Sequence, residues 1–328
     1  MAGSKYDASE AAVSSAPAKP SFWTRFKNHY KRFWWAHVIG IIVVVLVIVL
    51  PVVYVGYPKI AQEEVHASDV NVTKMAMSDP TPDSFHINQT QILHLDSMFE
   101  PTLFAFEANA SIAGRDSHFA TVTIPQITAV DGQLIHVNQD VSLQDTVHEF
   151  GDFCKAIVLN EEVDLRLYGK PELQVQVLPV ITVTYNETVT LKGLNQFKGF
   201  SLSNVTAQVG TADGEPNMHG KVHLPNPTVL TIPLGNVTLD LSVDGKFVGH
   251  SFIDNMKLVP GMNTFSMRSK LDQAVVLKKK ANYPSGVMPF DINGNKSVYD
   301  GKELPYFTKA LRATSMTAHV NISEALVF

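Results

Sequence analysis

The sequence predicts a mainly β protein, β-rich α+β in class, with an N-terminal transmembrane helix followed by two antiparallel β-sandwich domains and a few short helices. Three observations carry this reading. One uninterrupted apolar run lies near the N-terminus. Period-two alternation of apolar and polar residues recurs after it. Gly, Pro and Asp-Gly turn signals separate the alternating segments.

From Trp34 to Val55 the chain reads WWAHVIGIIVVVLVIVLPVVYV, without Asp, Glu, Lys or Arg. About 20 such residues cross the hydrocarbon layer of a bilayer. Trp34 and Trp35 at one end, and Tyr54 and Tyr57 at the other, take the interfacial positions that amphipathic rings prefer. Pro51 is tolerated within a membrane helix. Gly56 and Pro58 predict the stop. A cleaved signal peptide fits poorly, because the run is too long and no small-x-small site follows it. The run is apolar on all faces, unlike the stripe of a soluble helix. Residues 34–57 are therefore read as the signal anchor of a single-pass type II membrane protein.

Charge orients this anchor. Residues 1–37 carry six basic and two acidic side chains, a net +4, which leaves −9 for the remainder of a chain whose total is −5. Arg25, Lys27, Lys31 and Arg32 flank the N-terminal side, so residues 1–33 are expected to be a cytosolic, partly disordered basic tail. The C-terminal region is then lumenal or extracellular. Its acidity excludes nucleic acid as a partner. With the single cysteine Cys154, no disulfide framework exists, so the exported region depends on its own core.

Asn-x-Ser/Thr acceptors agree with this topology. They occur at Asn71, Asn88, Asn109, Asn186, Asn204, Asn236, Asn295 and Asn321, all after the span. Each is a weak signal alone, and their accumulation predicts a glycosylated secretory-pathway domain.

Val237, Leu239, Leu241 and Val243 alternate with Thr238, Asp240 and Ser242 before Asp244-Gly245, which predicts a half-buried strand entering a hairpin. Leu173, Val175 and Val177 predict another strand. It continues as Ile181, Val183 and Tyr185, with an edge or bulge at Pro179. Ile135, Val137, Val141 and Leu143 predict a third. Leu143, Val147, Phe150, Cys154 and Ile157 recur instead at spacings of three and four, which predicts an amphipathic helix capped near Ser142. A shorter helix is expected over Leu304–Arg312. A boundary within residues 191–204 divides the exported region into 58–195 and 196–328, each of ordinary domain size.

The stretch from Asn226 to Asn263 resembles the late-embryogenesis-abundant type-two domain, also called the water-stress and hypersensitive-response domain. The matching features are Asn226-Pro227, Ile232-Pro233, the alternating strand through Val243, Asp244-Gly245, Gly249 and Pro260-Gly261. The resemblance implies a small antiparallel β-sandwich. The chain after residue 20 is similar to a fungal family of unknown function with a basic tail, one span and two such domains in tandem. The stretches that carry this similarity are the span, residues 99–112, the helix around Phe150–Ile157, and residues 189–200. It implies a vacuolar or other endomembrane location and brings no catalytic residues.

No phosphate-loop, dinucleotide or Gly-x-Ser-x-Gly motif is present. Cys154 lies on the apolar stripe of its helix, as a buried inert thiol would. His219 and His223 share a face, but no cysteine or acidic pair near them completes a tetrahedral metal set. No catalytic residue, cofactor or metal is therefore expected. The reading is a non-catalytic, membrane-anchored interaction or scaffold protein. Its partners would be the bilayer, through residues 34–57, and a protein in the same membrane. The alternative is a lipid- or sterol-binding protein with an apolar groove in the sandwich. An enzyme acting on glycans or lipids is the third reading.

Overall fold

In the computed structural model, residues 22–97, 99–212 and 214–327 are described, those at 22–33 and 326–327 by their backbone alone. Residues 1–21, most of the predicted tail, lie outside the described residues. The chain divides into two compact units, Met1–Tyr57 and Pro58–Phe328.

The first unit is helical. α1 runs Phe22–Pro51, so the helix begins well before the predicted span. Every side chain from Trp34 to Val52 is exposed. Among the described residues, this is the one helix long and apolar enough to cross a membrane. A π-helical turn, Val52–Gly56, follows Pro51. In it the Tyr57 N–H reaches back five residues to the Val52 carbonyl, one residue further than in an α-turn. The predicted stop at Gly56 and Pro58 does not occur, because α2 runs Tyr57–Ala67. Pro58 is the second residue of α2, directly after the widened turn.

The second unit is mostly strand. Its first half holds β1 (Asp69–Thr81), β2 (Ser84–His94), β3 (Thr102–Leu103), β4 (Phe106–Ile112), β5 (His118–Ile124), β6 (Ile127–Thr128) and β7 (Leu134–Ser142), then α3 (Val147–Leu159), β8 (Glu162–Gly169), β9 (Glu172–Gln174), β10 (Ile181–Thr182) and β11 (Tyr185–Lys192). β1, β2 and β7 form one antiparallel layer, and β11-β8-β4-β5 form a second. Alternation places Phe85, Ile87 and Val141 on the inner face of the first layer. Ala110, Leu165 and Val189 are buried on the second. A small sheet, β10-β9-β3-β6, joins loops at one end.

The second half holds β12 (Ser201–Gln208), β13 (Met218–Asn226), β14 (Leu230–Val243), β15 (Lys246–Leu258), β16 (Gly261–Leu271), α4 (Gln273–Lys280), β17 (Val287–Tyr299), β18 (Lys302–Glu303), α5 (Pro305–Arg312), β19 (Ser315–Asn321), α6 (Ile322–Ala325) and β20 (Leu326–Val327). β14 is its hub. It pairs antiparallel with β15 and β17, and in parallel with β1 through Met75–Leu230 and Ala76–Thr231. That parallel pair continues the first half's sheet into the second. The predicted division at 195/196 falls in a tight turn, Asn195–Phe197, and one cluster of buried residues runs through both sides of it.

The motif residues prove to be turn locks. Buried Asn226 donates to the Leu230 carbonyl at 2.8 Å and accepts from the Thr228 N–H and hydroxyl, fixing the start of β14. Asn263 accepts from the Val259 N–H and donates to the Val259 and Gly261 carbonyls, closing the turn from β15 to β16. Val237, Leu239, Leu241 and Val243 are buried as their alternation predicts. Asp244 and Gly245 both have left-handed φ, 48° and 69°, as a two-residue hairpin turn requires.

Two local expectations are corrected. The strand expected over Leu173–Val177 ends at Gln174, and Val177 is 95% exposed. Gln176 has φ 48°, and the Gln174 amide donates to the Leu178 carbonyl, so the chain turns before Pro179. α3 begins after Thr146, not near Ser142, and it has no side-chain cap. The Thr146 hydroxyl instead donates to the Phe119 carbonyl, tying α3 to β5.

α3 from the first half packs on α5 from the second. They cross at Gly151, where an added Cβ would lie 2.9 Å from Lys309 Cδ and 3.5 Å from Tyr306 Cα. Phe150 meets Tyr306 edge-on at 5.1 Å and stacks on Phe85 at 5.0 Å. Tyr306 donates to the Thr81 carbonyl at 2.8 Å. Lys309 pairs with Asp152 at 2.6 Å. A Gly151→Leu substitution is expected to wedge the helices apart and lower stability by about 1–3 kcal/mol, the usual scale of overpacking. Urea unfolding of the full chain measures this, and an unchanged midpoint would refute the crossing.

Candidate functional site

The two layers of the first half do not fill the space between them. A void of ≈ 140 Å³ lies there, walled by β1, β2 and β7 on one side and by β4, β5, β8 and β11 on the other. α3, α5 and the start of β14 complete the wall. The second half encloses a comparable void of only ≈ 20 Å³. The difference traces to side-chain size. Inward positions of β4 and β5 carry Ala110 and Ala120, while Phe119, Phe150 and Phe153 hold the far end apart as a rigid aromatic cluster.

The wall is almost wholly apolar. None of its residues is Asp, Glu, Lys, Arg or His, and its polar side chains are Gln89, Thr231 and Cys154. Gln89 is spent on Gln91, to whose side-chain oxygen it donates at 2.8 Å. Burial pushes the Cys154 thiol far above its ordinary pKa, so the sulfur stays neutral. At the rim, Asn195, Gln196 and Phe197 take three successive left-handed conformations, φ 47°, 53° and 55°. Each costs a non-glycine residue about 1–2 kcal/mol. This turn carries Leu194 and Phe197 into the wall.

The residues singled out for chemistry are not brought together. Asp152, in sequence close to Cys154, is held by Lys309 and Arg115, which lower its carboxyl pKa. His148 is exposed, and the Lys309 ammonium donates to its backbone carbonyl at 3.1 Å and lies 3.3 Å from both ring nitrogens. His219 is exposed on β13. Four residues on, both ring nitrogens of His223 meet hydroxyls, those of Ser203 and Thr264. Among the described residues no group of three His, Cys, Asp or Glu is placed to hold a metal ion. Sequence reasoning overlooked His86, which bonds Asp140 and Asn138 at 2.7 Å each and whose pKa these partners raise. It lies on an open sheet face.

The acceptor asparagines separate into two groups. Asn71, Asn88, Asn109, Asn186, Asn204 and Asn236 are exposed. Asn295 and Asn321 are half-buried. The Asn295 amide nitrogen donates to Asp240, and Asn321 caps the backbone of Ser323.

α2 is clamped to the first half by its side chains. Gln62 donates to the Thr184 carbonyl at 2.7 Å and accepts from the Thr184 N–H at 2.8 Å, as a neighbouring strand would. His66 lies 3.4 Å from Glu187. Burial raises the Glu187 carboxyl pKa, His66 opposes that rise, and Asp69 adds to it.

The family described as "Protein of unknown function (DUF3712)" matches residues 117–241, from the edge of β5 into β14. No curated protein matches the chain. Among solved structures, the Arabidopsis thaliana protein AT1g01470 is similar over 38% of this chain and 80% of its own, at 11% identity and a TM-score of 0.26. A protein described as late embryogenesis abundant, At2g46140.1, is similar over 45% of this chain and 86% of its own, at 15% identity and a TM-score of 0.26. Red sea bream transglutaminase is similar over 76% of this chain and 31% of its own, at 14% identity and a TM-score of 0.24.

The Glu187 clamp has a pH signature. An acid whose pKa is raised by folding binds its proton more tightly in the native state. Stability therefore falls as pH rises from the ordinary glutamate pKa through the raised native value. Glu187→Gln removes that loss, because an amide does not titrate. Its melting temperature is expected to exceed wild type at pH 7, and the gap is expected to close below about pH 4. A gap independent of pH would rule the explanation out.

Proposed function

We propose that this chain is a non-catalytic membrane-anchored protein whose β-rich unit holds the acyl portion of a lipid between the two layers of its first half. The void of ≈ 140 Å³ and its apolar wall carry this reading. An empty cavity of that size forfeits contacts on the order of 3 kcal/mol, taking ~24 cal/mol per Å³. An apolar guest recovers them. The size matches a cavity that admits a benzene-sized molecule and falls below the ~300 Å³ where ordinary small-molecule sites begin. A segment of acyl chain suits it. A sterol would require the layers to separate. The scaffold reading makes no use of an internal void, and this is why ligand binding is preferred to it.

α1 is the anchor in this proposal. The basic flank before it faces the cytosol, and the β-rich unit lies in the lumen of a vacuole or other endomembrane compartment. The charge asymmetry and the positions of the acceptor asparagines support that orientation. A non-catalytic role is supported by a wall whose one titratable group, Cys154, stays neutral.

Two measurements test the proposal. Purified full-length protein is expected to bind a fluorescent fatty acid saturably, one per chain. The double variant Ala110→Leu/Ala120→Leu, which fills the void, is expected to bind about tenfold more weakly or worse, with no loss of thermal stability. Equal binding by both proteins would remove the cavity from the account. In sealed vesicles, protease should trim only the N-terminal tail. Glycosidase should shift the mass through some of the six exposed acceptors and leave Asn295 and Asn321 unmodified. Digestion of the large unit without detergent would reverse the orientation.

A further inference from the structure

We propose that the end of the β-rich unit nearest α2 is a bilayer-docking surface, on which a cluster of exposed apolar side chains rests in the membrane interface. The inference relies on the anchor reading above and goes beyond it, because an anchored domain need not touch the bilayer.

Among the described residues between 58 and 200, the exposed large hydrophobic side chains are Ile60, Phe99, Val130, Leu134, Val177 and Val180. They come from four separate stretches of chain. Yet all lie on α2, on the loops at one end of the two layers, or, for Leu134, on the first residue of β7 at that end. Backbone pairing shows this. Leu134 opposes Ile92 near the end of β2, and the Leu93 N–H donates to the Gln133 carbonyl. The loop before β3 meets the loop after β6 where the Ala129 N–H donates to the Pro101 carbonyl. Leu103 opposes Ile127 on one side and Leu173 on the other, and Leu173 opposes Ile181. The small sheet β10-β9-β3-β6 therefore gathers the Phe99, Val130 and Val177–Val180 loops together. Val177 is 95% exposed although it is ordered by the turn around Gln176. A single exposed valine has no special meaning, but a set drawn from four stretches onto one end marks an interaction surface.

The chain itself decides what covers it. β1 begins at this end, with Asp69 opposite His94, and α2 leads into it. Gln62 is clamped to both backbone groups of Thr184, next to β10. Gln62 lies five residues beyond Tyr57, where the apolar run finishes, and five residues reach at most about 18 Å. However the unit turns, its β10 corner stays within that short tether of the point where the chain leaves the bilayer. The opposite tips lie about 40 Å further along β1. Lipid is thus the one partner always within reach of these side chains. Exposed Lys59 and Lys170 lie near them, outnumbered by the exposed carboxylates of Glu63, Asp96, Glu100, Asp131 and Glu172. The contact would accordingly be led by apolar insertion, not by attraction to anionic lipid.

The test uses full-length protein in phosphatidylcholine vesicles, with one environment-sensitive fluorophore on an introduced cysteine. Native Cys154 is buried and neutral, and labelled wild type measures its background. The positions are Val177→Cys and Phe99→Cys, with Phe247→Cys on the β14–β15 hairpin turn as the distant control. Docking predicts blue-shifted emission at 177 and 99 that lipid-borne quenchers diminish, and water-like, unquenched emission at 247. Emission at 177 and 99 equal to that at 247 overturns the proposal. Blue-shifted emission that lipid quenchers cannot reach gives the surface to a protein, often a second copy, and overturns it as well. Flotation after an alkaline wash separates the two readings. Protein that leaves the vesicles defeats the anchor and docking together. Protein that floats but reports water at 177 defeats docking alone.

Discussion

The crossing of α3 over α5 is the contact on which the rest of the second unit depends. Two helices approach this closely only where one lacks a side chain, and Gly151 supplies that gap. Around it sit Phe85, Phe119, Phe150, Phe153 and Tyr306, in ring contacts each worth about 0.5–1.5 kcal/mol beyond the area they bury. The charges on the outside of the crossing, Asp152 with Lys309 and Arg115, are partly exposed and add less. Because α3 belongs to the first half and α5 to the second, the crossing and the β1–β14 pair hold the halves at two separate places.

This bracing explains why one sandwich can carry a void. Unbraced layers would settle onto Ala110 and Ala120. Here the aromatic cluster holds them apart at one end and the small sheet holds them at the other. In the second half, β12 and β19 come alongside each other and the interior is filled. The same strand architecture thus gives a tight body and a hollow one, and the difference lies in a few inward alanines.

Much of this was legible in the sequence because the signals were local. The apolar run, the alternation of β14, the Asp244-Gly245 turn and the period of α3 each depend on neighbours within one element. The failures were of the opposite kind. Val175 and Val177 alternate like a strand, but a left-handed Gln176 turns the chain, and no residue pattern forbids that in advance. Thr146 stands at the start of α3 without capping it, and its hydroxyl donates to the Phe119 carbonyl on a distant strand. Pro58 looked like a terminator, but the chain stays helical through it to Ala67. The cavity was the least visible feature. Inward alanines in residues 106–120 hinted at it, but volume depends on which side chains face them across the sandwich, and pairing at such range is not written in any one segment.

The contact between Tyr306 and Thr81 spans 225 residues of chain. During synthesis at ~5–20 residues per second, the first half, complete near residue 195, would wait roughly five to twenty seconds for its brace. For that interval Phe85, Phe119 and Phe150 are present without α5 to cover them. The nascent chain would expose its apolar interior for as long as α5 is missing. A chaperone, or a lipid already lodged between the layers, would shorten that exposure. Maturation of the first half is thereby timed by the arrival of α5, more than a hundred residues after the layers it braces.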